Sequence, residues 1–529
     1  MLVYGDHSEF AAPAECLDRI AGQLSGIAGM PPGIERHAKL VGTLVEAGQL
    51  LQGAADADAP TDALSSIVQA LAQAVVRSFD SGFEQIGELP SISSKSPRED
   101  VELRLPEGFA FYAVYPESYI VAARKLRLCG PPRVIGIRSI GTTLAAVVAA
   151  ALGALPPVTV RPFGDPFARR VELPAELIEA GAHYVIVDEG PGLSGSSFGA
   201  VADWLEDHGV PLGRIAFLPS HSGDAGVQAS TRHRSRWRSA QRVAAEFDTG
   251  ILSERFGPLE AFATGGAWER LKFIGTHECK RVLIKFAGLG AIGERKLALA
   301  RALHAAGFAA EPVDLVHGFL VERWCGDAVP LRSGEKPVEE IAAYIGARAR
   351  LFPAKEAEGA SLNRLLEMCR RNLSLALGQD AACPAEMWRP QLDALSRRIS
   401  RVRTDNKLDR HEWLRLPNGR LLKTDALDHH CAHDLVGCQD VAWDVAGAIV
   451  EFDLTEAQSA QLVATTERSA GRHIDPELLS FYRLAYCCFR LGRASLGGER
   501  IAAERYAAAA QMQLHQHVCR ETRQDSLVD

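Results

Sequence analysis

The chain reads as a multidomain α/β protein: a helical N-terminal segment, a doubly wound parallel sheet, and a two-lobed α+β region to the C-terminus. Three observations predict this. From about Val101 to Glu246, strand-like and helix-like stretches alternate, the pattern of a parallel sheet covered on both faces. Up to about Gly87, apolar residues recur at helical spacing, as in "AECLDRIAGQLSGIAG" and "LSSIVQALAQAVVRSF". From about Phe262, paired strands come first, and helices dominate beyond Pro337. The expected domains are 1–95, 96–250 and 251–529.

Composition agrees with a large globular protein. At roughly 100–200 residues per domain, 529 residues make several domains. Hydrophobic residues are 47% and charged residues 23%, ordinary values for a folded chain. A net charge of −8 argues against general nucleic-acid binding. The one basic run, "STRHRSRWRS" at Ser230–Ser239, is an exposed connector or an anion-binding wall. No secretory pattern opens the chain, and the longest apolar run, Leu144–Leu155, is too short for a bilayer. The 11 cysteines are scattered without a C-x-x-C pair. They read as reduced thiols, and the protein as cytoplasmic.

The elements follow in order. "GAADADAPTDA" is a loop ending in Thr61 or Asp62, either an N-cap. The helices around it form an accessory or oligomerisation segment, and a homodimer is one assembly this allows. "ELPSISSKSPRED" is a polar linker. Then come a helix "YPESYIVAARKLRL", a strand "RVIGIRS", a helix "GTTLAAVVAAALGAL", a strand "PVTVRPF", a short helix "PAELIEAG", a strand "HYVIVDE", a helix "FGAVADWLEDHG" and a strand "RIAFLPS". Further on, "GGAWERLKFIG" pairs with "KRVLIKF", a helix "ERKLALARALHAAG" follows, and "VDLVHGFLVERW" is a strand pair. "WLRLPNGRLLKTD" is a hairpin turning at Asn418-Gly419.

The first chemical signal is "YVIVDEGPGLSGSS" at Tyr184–Ser197. A strand, a loop of small residues and a helix start expose backbone N–H groups together, and such nests hold phosphate. Gly190, Gly192 and Gly195 allow close approach and positive φ. Ser194, Ser196 and Ser197 add hydroxyl donors. Asp188 and Glu189 cannot favour the phosphate; they suit hydroxyls or a metal ion a few ångströms away. A ribose 5-phosphate meets both needs. The bland alternative is a doubly wound domain whose loop binds another phosphate, or nothing.

These residues resemble the signature of type I phosphoribosyltransferases, with a loop about one residue longer and Ser in place of most Thr. "VIGIRSIGTTLAA" at Val134–Ala146 resembles that family's pyrophosphate loop. The resemblance implies that Arg138, Ser139, Gly141 and Thr142 face pyrophosphate. It also implies a mobile catalytic loop at Val160–Pro174, where Arg161, Arg169 and Arg170 clamp the leaving group. His221, Ser222 and Asp224 are candidates for the acceptor wall. The implied reaction is displacement of pyrophosphate from 5-phosphoribosyl 1-pyrophosphate (PRPP) at the anomeric carbon, assisted by Mg²⁺. The implied acceptor is a nucleobase-like molecule or ribosyl metabolite. Positioning and charge neutralisation would do most of the work.

The second signal is Lys285 inside an apolar strand, where an unpaired ammonium is costly. Glu294 on the next helix, or nucleotide phosphates, would partner it, as in kinases. "HGFLVERWCGD", "DNKLDRHEWLRLPNGRLLKTDALDHH" and "GCQDVAWDVAG" resemble the hinge, catalytic segment and following helix of aminoglycoside phosphotransferase/choline kinase-like (protein kinase-like) proteins. That resemblance implies ATP and Mg²⁺, Lys285 as phosphate lysine and Asp425 as metal-binding acid. It implies Asp405 as base, with Arg410 where the family has Asn and His411 beside it, and Asp440 and Asp444 as acids of the structural helix. The best glycine-rich candidate is "ATGGAW" at Ala263–Trp268. A zinc alternative uses His429, His430, Cys431, His433 and Cys438, although their spacing fits no common template.

Together these predict catalytic Asp188, Glu189, Asp405 and Asp425 in a two-site enzyme, a phosphoribosyltransferase fused to a small-molecule kinase. Two alternatives stand. The middle domain senses nucleotides and regulates the kinase-like part, or the kinase-like part only binds.

Overall fold

The structure is a computed structural model describing residues 8–92, 99–192, 194–226, 228–262, 271–432 and 436–525. It is a mixed α/β protein in two compact units. The first comprises Ser8–Leu297 with Val313–Glu322; the second takes Ala298–Pro312 and the chain from Arg323 onward. These units do not follow the expected divisions at 95/96 and 250/251.

In the first unit, β1 (Ser8–Ala11) leads into α1 (Pro13–Ala28), α2 (Ile34–Asp56) and α3 (Asp62–Asp80). β2 (Val101–Arg104) returns antiparallel to β1. Helix α2 runs to Asp56, into the stretch expected to be a loop, and Thr61 precedes α3 without a side-chain cap bond. Next come α4 (Glu107–Phe111), α5 (Pro116–Arg124), β3 (Pro132–Ile137), α6 (Ile140–Leu152) and β4 (Val158–Val160). A hairpin of β5 (Phe163–Asp165) and β6 (Ala168–Arg170) precedes β7 (His183–Val187), α7 (Ser196–Asp207), β8 (Ile215–Leu218), α8 (Thr231–Ser239) and β9 (Gln241–Arg242). "PAELIEAG" makes only a 3₁₀ turn at Ala175–Leu177.

Five strands form one sheet in the order β4-β3-β7-β8-β9, every pairing parallel. Alternation of side chains explains its two covered faces. Val134, Val185, Val187 and Leu218 join the core holding α6 and the N-terminal helices. Ile135, Ile137, Ile186 and Phe217 join the core holding Phe198, Val201 and Leu205 of α7 and Trp237 of α8. The N-terminal helices are therefore a layer of the sheet's own core, not a detached accessory. Gly48 allows the approach: a Cβ there would lie 1.9 Å from Thr143 Oγ1 of α6.

The same apolar cluster continues into a second sheet, ordered β10-β11-β12-β14-β13. Its strands are β10 (Glu260–Ala261), β11 (Lys272–His277), β12 (Lys280–Phe286), β13 (Pro312–Val316) and β14 (Phe319–Arg323), with α9 (Gly250–Phe256) before them and α10 (Ala291–Ala305) between β12 and β13. Phe273, Ile284 and Phe319 belong to the core that also holds Leu40 and Val147. This continuity places residues beyond 251 in the first unit. The expected strand pair around Lys285 is antiparallel, with Phe273 opposite Ile284.

The second unit carries α11 (Val338–Leu351), α12 (Leu362–Leu377), α13 (Gln379–Ala382), α14 (Leu392–Ser396), α15 (Val441–Glu451), α16 (Glu456–Ala470), α17 (Pro476–Leu496) and α18 (Arg500–Asp525). Small sheets join them. One contains β15 (Val329–Pro330), β17 (Trp413–Arg415) and β18 (Leu421–Lys423), and β16 (Arg401–Val402) pairs with β19 (Gln439–Asp440). The β17–β18 hairpin turns at the expected place, with Gly419 at φ 85°. Among the described residues no helix is long and apolar enough to cross a membrane.

Candidate functional site

At the carboxyl end of β7, Asp188 and Glu189 sit half-buried. Tyr119 of α5 donates to the Asp188 carbonyl at 2.8 Å, and Ser220 Oγ donates to the Glu189 carbonyl at 2.6 Å. The backbone is thus held at both acids. Burial raises Asp188 to about 7, against the pull of Arg161 and Arg169. Burial, Asp188 and Glu107 raise Glu189 to about 8. Two adjacent acids poised near neutrality gain most from a divalent cation or hydroxyl donors.

The loop beyond them turns with positive φ at Gly192 (47°) and Gly195 (58°), and α7 starts at Ser196. A Cβ on Gly195 would lie 2.2 Å from the Ala225 carbonyl, so only glycine fits. Gly195 N–H donates to the Pro191 carbonyl at 2.9 Å. Ser194 and Ser196 hydroxyls donate to the Pro166 carbonyl at 3.0 and 2.7 Å, fastening the β5–β6 turn to this loop. Gly190 and Ser197 flank the turn, each half-buried. Behind Gly195 stands buried His233, which burial and Arg236 lower to about 4.

The expected pyrophosphate residues are arranged differently. Arg138 bonds the Thr159 hydroxyl and carbonyl, the Ala55 carbonyl and Asp56. Arg161 pairs with both Asp56 oxygens and donates to the Arg138 carbonyl at 2.8 Å. Two anion-clamp candidates are therefore already neutralised by the end of α2. Thr142 is buried, and Gly141 packs against β7, where a Cβ would lie 2.7 Å from the Val187 carbonyl. Ser139 precedes α6, its carbonyl accepting from Thr142 N–H at 3.2 Å. Arg169 bonds the Pro162 carbonyl, Arg170 is exposed, and His221, Ser222 and Asp224 are exposed on the loop after β8.

The run Ser230–Ser239 is not a connector. It is α8, capped by Ser230, with Arg232 and Arg236 paired to Asp203 and Glu206 of α7. Trp237 is buried beneath it.

In the second sheet, Lys285 Nζ lies 2.8 Å from Glu322 of β14. Glu294 does not fill that role: it is exposed and pairs with Lys39 of α2. A strand-to-strand pair across one sheet needs no helix partner. "ATGGAW" lies outside the described residues.

The second unit holds a dense network. Asp405 is fully buried, bonded to Tyr344, to His429 Nδ1 at 2.8 Å and, at 3.3 Å, to Lys423. Asp444 accepts from the Asp405 and Asn406 N–H groups at 2.8 and 3.0 Å, and Asn406 takes φ 65°. Burial and Asp405 raise Asp444 to about 6. Asp440 accepts from Ala442 and Ser400 N–H, capping α15. Asp405, the expected base, is therefore buried and fully engaged in organising the loop. Arg410, expected at the Asn position, points to the Glu335 carbonyl and covers Phe452.

The pair that meets across this loop is Lys407 and Glu412, 2.9 Å apart and five residues apart. Base and metal-binding Asn are five apart in H-R-D-x-x-x-x-N, so the pairing sits two residues beyond the expected frame and carries Lys and Glu instead. Glu412 also holds Lys423 at 2.6 Å. Asp425, with φ 52°, places Oδ2 3.5 Å from His429 Nε2. Glu412, Asp425 and His429 lie close enough together to share a cation. Burial and Lys407 oppose a charge on His429, but Asp405 and Asp425 prevail and raise it to about 9. Among its described residues the zinc alternative does not come together. Cys438 Sγ donates to Glu358, Cys431 Sγ to the Asp428 carbonyl, and His433 is outside the described residues. Among the described residues no cysteine joins a group able to hold a metal.

Asp56, Tyr119, Ser220, Glu322, Lys407 and Glu412 escaped the sequence reading. Each stood inside a quoted stretch, but none had a role assigned there.

No protein-family model matches the chain, and no curated protein matches it. Solved structures do. Choline kinase LicA from Streptococcus pneumoniae is 16% identical over 50% of this chain and 96% of its own, with TM-score 0.37. A choline/ethanolamine kinase family protein from Mesorhizobium loti is 18% identical over 50% and 95%, with TM-score 0.34. A thermostable mutant of aminoglycoside phosphotransferase APH(4)-Ia is 14% identical over 51% and 99%, with TM-score 0.36. Identities and scores this low carry no argument about what the chain does.

Proposed function

We propose that the parallel-sheet unit binds PRPP and transfers its phosphoribosyl group to a small acceptor. One observation carries this reading: Asp188 and Glu189 end β7 directly before a glycine turn and the N-terminus of α7. Ligands of parallel sheets bind at carboxyl strand ends, and helix N-termini favour phosphate. The carboxylates would take ribose hydroxyls, and the Gly190–Ser197 backbone the 5-phosphate. Asp188 and Glu189 would hold Mg²⁺, which would supply charge neutralisation of the departing pyrophosphate. Arg169 and a released Arg161 would add positive charge there.

The kinase-like reading of the remaining chain is kept as nucleotide binding. The Glu412–Asp425–His429 group of the second unit supports it. Lys407 and Glu412 at the five-residue spacing make ordinary base-assisted phosphotransfer the weaker expectation. A second reading, a nucleotide sensor without turnover, is favoured by Asp56 holding Arg138 and Arg161.

Pyrophosphate release from PRPP–Mg²⁺ with a panel of nucleobases tests the proposal, alongside thermal shift. Transfer predicts acceptor-dependent release that Asp188→Asn abolishes. A PRPP-induced shift without release supports the sensor. No shift by PRPP and an inert Asp188→Asn overturn both.

A further inference from the structure

Away from both sites, one buried cluster joins three segments of the first unit. His37 of α2 is 0% exposed, Glu117 of α5 6%, and His317, in the turn between β13 and β14, 7%. Glu117 Oε1 stands 2.6 Å from His37 Nε2 and 2.7 Å from His317 Nε2. Three ligand atoms therefore converge on one point.

The surroundings orient these atoms. Ser78 Oγ lies 2.9 Å from His37 Nδ1, a hydrogen bond that fixes the ring and leaves Nε2 aimed at Glu117. Tyr115 donates to the His317 carbonyl at 2.6 Å and packs on its ring, holding the turn at φ 44°. Phe83 covers the His37 ring at 4.6 Å. The second carboxylate oxygen, Glu117 Oε2, is buried and has no hydrogen-bond partner among the described residues. A buried ionised carboxylate with an unpartnered oxygen is costly unless a cation meets it.

We propose that His37, Glu117 and His317 form a binding site for a divalent d-block metal ion of the zinc class. Two imidazoles and one carboxylate are a zinc ligand set, usually completed by water or a fourth donor. Donors around such an ion stand about 3.3 Å apart for bonds of about 2.0 Å, so binding opens the contacts by roughly half an ångström. The ion would lie against the Glu117 carboxylate and staple the turn between β13 and β14 to α2 and α5. Its contribution is structural, since no ligand atom lies at the phosphate loop.

The test uses the full chain. Purified protein is stripped with a chelator, and Zn²⁺, Co²⁺ and Mg²⁺ are added separately. Expected are about one equivalent of Zn²⁺, a raised Tm with Zn²⁺ but not Mg²⁺, and a visible Co²⁺ band without sulfur-to-metal charge transfer. His317→Ala should lose the band and the shift. Glu117→Gln, which keeps size and hydrogen bonding, should weaken Zn²⁺ binding at least tenfold while folding normally. No Zn²⁺ stabilisation of the wild type, a thiolate signature, or a band unchanged in both variants overturns the proposal.

Discussion

Asp56 Oδ2 lies 2.5 Å from Arg161 Nη2, while Asp56 Oδ1 lies 3.1 Å from Arg138 Nη1. One carboxylate at the end of α2 thus neutralises two guanidiniums at the edge of the parallel sheet. Asp56→Asn should free them and strengthen binding of pyrophosphate or PRPP–Mg²⁺ about tenfold at low salt, with the gain fading as salt rises. Calorimetric titration measures this. Unchanged affinity would show that neither arginine reaches the anion.

The acid pair sets a pH dependence. Folding raises Asp188 from 3.8 to about 7 and Glu189 from 4.5 to about 8. The native state then holds protons that the unfolded chain has lost, so stability from this pair falls as pH rises between about 4 and 8. Asp188→Asn should flatten that decline in chemical-denaturation curves. Over the same window, Mg²⁺-dependent PRPP binding should strengthen as the pair ionises.

His429 behaves with the opposite sign. Its folded value is raised from 6.5 to about 9 by Asp405 and Asp425, overcoming burial and Lys407. The associated stability is fully present below about pH 6.5 and lost as pH rises through about 9. His429→Gln should remove this alkaline loss, read from Tm between pH 6 and 10.

Glu412 is the shared anion of Lys407 and Lys423, and Lys423 is fully buried. Glu412→Gln leaves two ammoniums without it and should cost about 3–5 kcal/mol. Pairing it with Lys407→Met should recover part of that loss. Urea unfolding of the single and double variants measures the coupling.

Gly195→Ala should destabilise the phosphate loop by about 2 kcal/mol or more, since φ 58° disfavours a side chain and Ala225 O blocks the Cβ at 2.2 Å. Ligand binding at the loop should weaken with it. Gly192, at φ 47° but with open space around its Cβ, should lose less on the same substitution.

Much of the architecture was legible along the chain. β3, β7 and β8 are continuous apolar runs, and α7 follows a glycine turn, because a strand buried on both faces leaves no room for polar alternation. The hairpin at Asn418-Gly419 was legible because its turn demands those residues. Less legible were partners far apart in sequence. Lys285 needed an anion and Glu294 on the next helix was the near candidate; Glu322 becomes its neighbour only once the strands are ordered. Arg138 and Arg161 read as anion ligands because Asp56, some 80 and 105 residues away, carries no local signal.

The sequence by itself determined the alternation of strand and helix, the acid pair before a glycine loop, and the need of Lys285 for a counter-charge. These depend on hydrophobic periodicity and backbone freedom, which act between near neighbours. Tertiary structure alone decided that Asp405 is sealed inside, that Lys407 faces Glu412, and that His37, Glu117 and His317 converge. Burial and charge pairing depend on distance in space, and the chain encodes that distance only once its elements have packed.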